Sequence, residues 1–167
     1  MVEFRKKCQS GWRPIIAAGI IAGILATLVQ VLLWLLFTDD FPGVLYRDAR
    51  LTAALVLGRR VLPPPATLDA GVMATATLIH FALSIFYAAL LAPIAVRLEN
   101  IPAVLAGAAF GVALYLVNLY GFTEIFPWFI PARGWIALAA HVAFGITAVA
   151  VFRILHVRNA RFRPDGH

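Results

Sequence analysis

Two histidines, His80 and His141, stand inside long apolar stretches, together with Gln30, Ser84 and Asn118. Polar side chains in such surroundings rarely face lipid; they turn inward and find partners. Three chemistries fit this set. The first is a layer of hydrogen bonds that specifies which helices pair, each bond contributing about 1 kcal/mol or less. The second is a single b-type haem held by His80 and His141, since imidazole is a common axial ligand. The third is a proton or solute path, because a neutral imidazole accepts and releases protons near neutral pH. Ion-coupled carriers usually add an intramembrane carboxylate or fixed cation, and no span here has one. Two histidines without Cys, Asp or Glu nearby make a poor zinc set, so no metal is expected. The chain has no phosphate-binding loop and no nucleophile elbow. The expected role is accessory, assembly or structural rather than enzymatic.

The elements that position these residues are four stretches free of Asp, Glu, Lys and Arg, residues 15–37, 70–96, 101–122 and 134–152. A helix needs about 20 apolar residues to cross the hydrocarbon core, and each stretch meets that length. Backbone groups in lipid must be satisfied within the segment, so each is expected to be helical. The fold class is therefore all-α, a membrane four-helix bundle forming a single domain over 1–167. The apolar run of the first span is too long for a cleaved signal peptide, and no small-residue cleavage site follows it.

With a rise of ~1.5 Å per residue, Gln30 lies about 10 Å below Phe37 and His80 about 15 Å below Ala70. Asn118 lies about 6 Å below Phe122, and His141 about 10 Å below Gly134. All four thus fall between one interface and the midplane. Thr77, His80, Ser84 and Tyr87 share a stripe of the second span, and Tyr115 and Asn118 lie together on the third. In an up-down bundle the second and fourth spans are diagonal. His80 and His141 are then expected to face each other across the axis, flanked by Gln30 and Asn118, and to be energetically coupled.

Composition agrees with this class. Apolar residues make up 62% and charged residues 13%, with mean hydropathy +0.89. These values exclude a soluble enzyme, a disordered tail and a secreted disulfide scaffold. Cys8 is the only cysteine, which excludes thiol-pair chemistry. The net charge of +6 does not point to nucleic acid, because the cations cluster at span ends. Nine Lys and Arg residues fall on one side (Arg5, Lys6, Lys7, Arg13, Arg97, Arg153, Arg158, Arg161, Arg163) and five on the other (Arg47, Arg50, Arg59, Arg60, Arg133). That bias places both termini in the cytoplasm.

Residues 38–69 form the one long connection. Val44 to Arg60 reads as a short helix at the outer interface, followed by a stiff Pro63-Pro64-Pro65 stretch. Arg47 and Arg50, three apart, suit contact with a lipid-headgroup phosphate. Glu124 and Arg133 are positioned to close the last loop as an ion pair.

The two halves are alike. Gly19, Gly23 and Gln30 have the same gaps as Gly107, Gly111 and Asn118, and His80 and His141 follow in the second and fourth spans. Phe41-Pro42 with Ala49-Arg50 matches Phe126-Pro127 with Ala132-Arg133. This is a duplicated helical hairpin or coincidence, since glycine and alanine are common in membrane helices. The glycine pairs allow close helix packing. The small-residue face Gly134, Ala137, His141, Gly145 and Ala148 serves either packing within the chain or a homo-oligomer seam.

Four segments carry a resemblance over nearly the whole chain: Tyr46-Arg47-Asp48-Ala49-Arg50-Leu51-Thr52-Ala53-Ala54, Ile79-His80-Phe81-Ala82-Leu83-Ser84, Tyr115 and Tyr120 around Asn118, and Phe126-Pro127-Trp128-Phe129. In these it resembles small uncharacterised four-span inner-membrane proteins of proteobacteria. The resemblance implies a multi-pass inner-membrane location, with the lipid bilayer and a membrane protein complex or a second copy as partners. It implies no activity. Such chains are sometimes labelled sodium–solute symporters, but four spans cannot build that inverted-repeat carrier. Quinone-linked disulfide generators need cysteine pairs, small multidrug exporters a carboxylate in the first span, and di-haem b cytochromes more membrane histidines than two.

Overall fold

The computed structural model describes residues 12–62 and 64–161. It contains α1 (Trp12–Phe37), α2 (Gly43–Leu57), α3 (Ala70–Ala95), α4 (Asn100–Leu116) and α5 (Trp135–Arg161), and no strand among the described residues. A π-helical turn, Val117–Gly121, and a 3-10 turn, Phe122–Glu124, continue α4. Four segments are long and apolar enough to cross a membrane: Trp12–Phe37, Ala70–Ala95, Asn100–Glu124 and Trp135–Arg158. The chain is an all-α four-helix bundle and a multi-pass membrane protein.

α1 and α5 overrun their charge-free stretches, where water can solvate a charge. α1 begins early enough to include Arg13, and α5 continues beyond Phe152 to Arg161. α3 starts on an N-cap, Asp69, whose carboxylate accepts from Val72 N at 2.9 Å. α2 occupies most of the expected 44–60 helix and ends at Gly58, whose φ of 76° is the left-handed region that glycine enters without steric cost. Of the proline stretch, Pro63 lies outside the described residues, as do Arg5, Lys6, Lys7, Cys8 and Arg163.

α1 packs along α5 and along α3, and α5 packs along α4. α3 and α5 touch across the diagonal more extensively than α3 touches α4, so α4 packs chiefly on α5. The core is rich in alanine: Ala18, Ala22 and Ala26 of α1 meet Leu91, Ala92 and Ala95 of α3 and Ala148, Val149 and Phe152 of α5. Small side chains bring backbones close, which is how helices gain packing energy where lipid tails are as apolar as leucine. The outward residues are large and apolar, among them Leu28, Leu32, Leu78 and Leu105.

The two hairpins repeat one contact pattern. A Cβ on Gly19 would meet Ser84 O at 2.9 Å, and one on Gly107 would meet Gly145 O at 2.6 Å. A Cβ on Gly23 would meet His80 Nε2 at 3.1 Å, and one on Gly111 would meet His141 O at 2.3 Å. Each glycine pair therefore seats its helix on the following span at the histidine and at the residue four further on. The face around Gly145 is filled from within the chain, by α4.

α2 and the α4–α5 connection lie together at one end, called here the capped end. Trp128 Nε1 donates to Leu51 O at 3.1 Å, and the Arg59 guanidinium lies 5.3 Å from the Trp128 ring centre. Phe37 and Trp135 meet edge to face at 5.1 Å, joining the capped ends of α1 and α5. The α3–α4 turn lies at the opposite end.

Candidate functional site

Two separate hydrogen-bonded groups occupy the bundle. In the first, His80 Nε2 of α3 lies 3.3 Å from Thr27 Oγ1 and 3.3 Å from Gly23 O, both on α1. A carbonyl can only accept, so Nε2 carries the proton and serves both oxygens. Ser84 sits one turn along, buried against Gly23.

The second group joins three helices. Tyr87 OH of α3 donates to Asn118 Oδ1 at 2.8 Å. Asn118 Nδ2 lies 3.4 Å from His141 Nε2, and His141 Nδ1 lies 2.7 Å from Ala137 O. The donors fall in one order: Nδ1–H of His141 donates to its own helix, which leaves Nε2 to accept from the Asn118 amide. Tyr115 packs edge-on to the His141 ring at 5.8 Å.

The two histidines find their hydrogen-bond partners on different helices. Among the described residues no hydrogen bond joins His80 to His141. The close approach of α1 to α3 at Gly23 puts a carbonyl and a hydroxyl within reach of His80, whereas His141 meets Asn118 on α4. The π turn decides the second contact. It adds a residue to the turn that carries Asn118 and re-aims the amide between Tyr87 and His141. Gln30 has the same offset from its glycines but sits in regular α-helix. Its side chain lines an open cavity of about 290 Å³ at the capped end, with Trp34, Arg47, Asp48, Arg133 and Trp135. The structure thus brings Asn118 to His141 and Ser84 to the His80 turn, and Gln30 to neither.

Arg47, Arg50 and Arg133 are occupied by protein groups. Arg50 donates to Val61 O at 3.0 Å and to Thr67 O at 2.9 Å. Arg47 pairs with the adjacent Asp48 at 2.8 Å. Burial pushes the Asp48 carboxyl above its ordinary range, partly opposed by the Arg47 charge beside it. Arg133 does not pair with Glu124. Its Nε donates to Leu119 O and its Nη2 to Thr123 Oγ1, each at 2.7 Å, while the guanidinium lies 4.3 Å from the Tyr120 ring centre. The Leu119 carbonyl, which also accepts from Thr123 Oγ1, and the Tyr120 face hold the guanidinium, while Glu124 sits exposed on the turn. Arg50 and Arg133, the matching arginines of the two halves, therefore perform the same task of tying down a connection.

Sequence reasoning missed Arg153 as more than a charge. Its Nη1 donates to Ala95 O at 2.7 Å and also to Leu98 O, and its Nη2 donates to Asn100 Oδ1 at 2.8 Å. Spacing held the signal: His141, Gly145, Val149 and Arg153 recur every four residues, which places Arg153 on the stripe that faces the bundle.

No protein-family model, curated protein or solved structure matches this chain.

Proposed function

We propose that the chain is a non-enzymatic accessory or assembly component of a bacterial inner membrane, in which the intramembrane polar groups act as pairing specificity between helices. The observation that carries this reading is the donor order Tyr87–Asn118–His141–Ala137, which uses both nitrogens of His141 on the protein itself. Such a chain leaves that imidazole no idle nitrogen for a ligand. It also penalises any misregistered packing, which would strand a polar group in lipid.

The test is a pair of double-mutant cycles on unfolding in detergent. Asn118→Leu and His141→Leu should each destabilise, and the double mutant should cost less than the sum of the two. The expected coupling is about 0.6 kcal/mol, the average for membrane pairs, and at most about 1.7 kcal/mol. His80→Leu and His141→Leu, which share no hydrogen bond, should show a smaller coupling than Asn118→Leu and His141→Leu. Additivity of Asn118 and His141 would sink the reading, as would a red preparation whose Soret band is lost in His80→Ala or His141→Ala.

The same reading places both termini in the cytoplasm, from the nine-to-five division of Lys and Arg. A reporter active only in the periplasm should be silent when fused after His167. Activity there would invert the topology and put the capped end in the cytoplasm.

A further inference from the structure

In the His80 group, unlike the His141 group, one ring nitrogen is left unused. His80 uses Nε2 for both of its contacts, and among the described residues Nδ1 has no hydrogen-bond partner. With the proton on Nε2, Nδ1 is a bare acceptor. Thr27 Oγ1 accepts from that same Nε2–H, and its own hydroxyl proton has no acceptor among the described residues. The opposite tautomer would set Nε2 and Gly23 O against each other as two acceptors 3.3 Å apart, so it does not fit the contacts.

The seam between α1 and α3 therefore offers one unused donor and one unused acceptor. Thr27 is exposed and the His80 ring half-buried, so both are reachable from outside the bundle. Both stand ten residues from the capped end of their helices, about 15 Å into the membrane. The neighbouring Leu28 and Leu78 are 57% and 73% exposed, so this surface otherwise faces hydrocarbon. Lipid tails offer neither donor nor acceptor at that depth.

A donor and an acceptor on one patch are self-complementary. We propose that the α1–α3 seam is a homodimer interface, in which Thr27 Oγ1–H of each copy donates to His80 Nδ1 of the other. A two-fold axis along the membrane normal makes the contact twice, since an isologous interface presents the same patch from both sides. The proposal shares the premise that these polar groups are pairing elements. Its test reads association rather than unfolding, so either can fail alone.

The experiment uses the full chain in vesicles of neutral phospholipid. Donor- and acceptor-labelled copies are mixed, and energy transfer is followed as the protein-to-lipid ratio falls. The wild type should dimerise. Thr27→Val and His80→Leu, each losing both bonds, should weaken association by about tenfold. Thr27→Ser should associate like the wild type. The decisive arm mixes Thr27→Val with His80→Leu. That pair restores one bond, from the intact Thr27 of one copy to the intact His80 of the other. The mixed dimer should therefore be about threefold tighter than either variant alone. Misfolding of either variant cannot produce such a rescue. A wild type that stays monomeric at every ratio overturns the proposal, as does a mixture no tighter than its components.

Discussion

Replacing Gly145 by leucine is expected to abolish the folded bundle, and replacing it by alanine to destabilise it severely. At this point α4 and α5 cross with backbone against backbone. A Cβ on Gly145 would lie 2.0 Å from Gly107 O and 3.0 Å from Gly111 N. Neither neighbour is the end of a flexible side chain, so relief requires the helices to part. Parting them also removes the contacts of Val149 and Phe144 in the core and lengthens the Asn118–His141 bond. Inserting a group into a packed core usually costs about 1–3 kcal/mol, and a clash between two backbones belongs above that range. Gly71→Ala is the control. Its new Cβ meets only Asp69 Oδ1, at 3.4 Å, and alanine is the better helix former by about 1 kcal/mol. Thermal unfolding in detergent should rank Gly71→Ala at or above the wild type and Gly145→Ala far below it. Gly145→Leu should elute as aggregate. A Gly145→Leu protein with unchanged melting would mean that α4 and α5 do not cross there.

The contrast between Gly145 and Gln30 shows which features were legible before the structure. The spans were legible because lipid imposes a coarse rule: an uncharged run of sufficient length has no alternative to helix. The glycine pairs were legible as close-packing sites for the same reason, and they seat α1 and α4 where their spacing implied. The partners of the polar side chains were not. Helical periodicity assigns a residue to a face, but which neighbour fills that face depends on how the helices are arranged around the axis. Here α3 and α5 touch across the diagonal and α4 packs chiefly on α5, which the sequence pattern does not encode. Gln30 and Asn118 occupy matching offsets, yet a π turn under Asn118 alone separates their fates. Arg133 illustrates a further limit. Pairing it with Glu124 followed from charge, whereas the backbone carbonyls within its reach become visible only once the helix ends are known.

Removing the Arg153 guanidinium should have the second largest effect, and it acts at the opposite end of the bundle. Ala95 is the last residue of α3, Leu98 lies in the turn that follows, and Asn100 is the first residue of α4. By donating to all three, Arg153 of α5 ties two other helices at their junction. The carbonyls at a helix C-terminus have no partners within the helix, and the dipole there favours a cation. Hydrogen bonds from a charged donor contribute about 1.5–3 kcal/mol each. The Asn100 contact is exposed, so water replaces much of it, and the carbonyl contacts to Ala95 and Leu98 carry most of the loss. Arg153→Ala is therefore expected to cost about 2–4 kcal/mol in unfolding free energy. Arg153→Lys should recover only part of that, because an ammonium is a compact charge and lacks the planar fork that reaches separated acceptors. Arg158→Ala, at an exposed position on the same helix, should lie within about 0.5 kcal/mol of the wild type. Amide hydrogen exchange should localise the damage. Arg153→Ala should speed exchange around residues 95–103 while leaving the Thr27–His80 contact between α1 and α3 protected. Equal effects of Arg153→Ala and Arg158→Ala would show that the arginine acts there only as a surface charge.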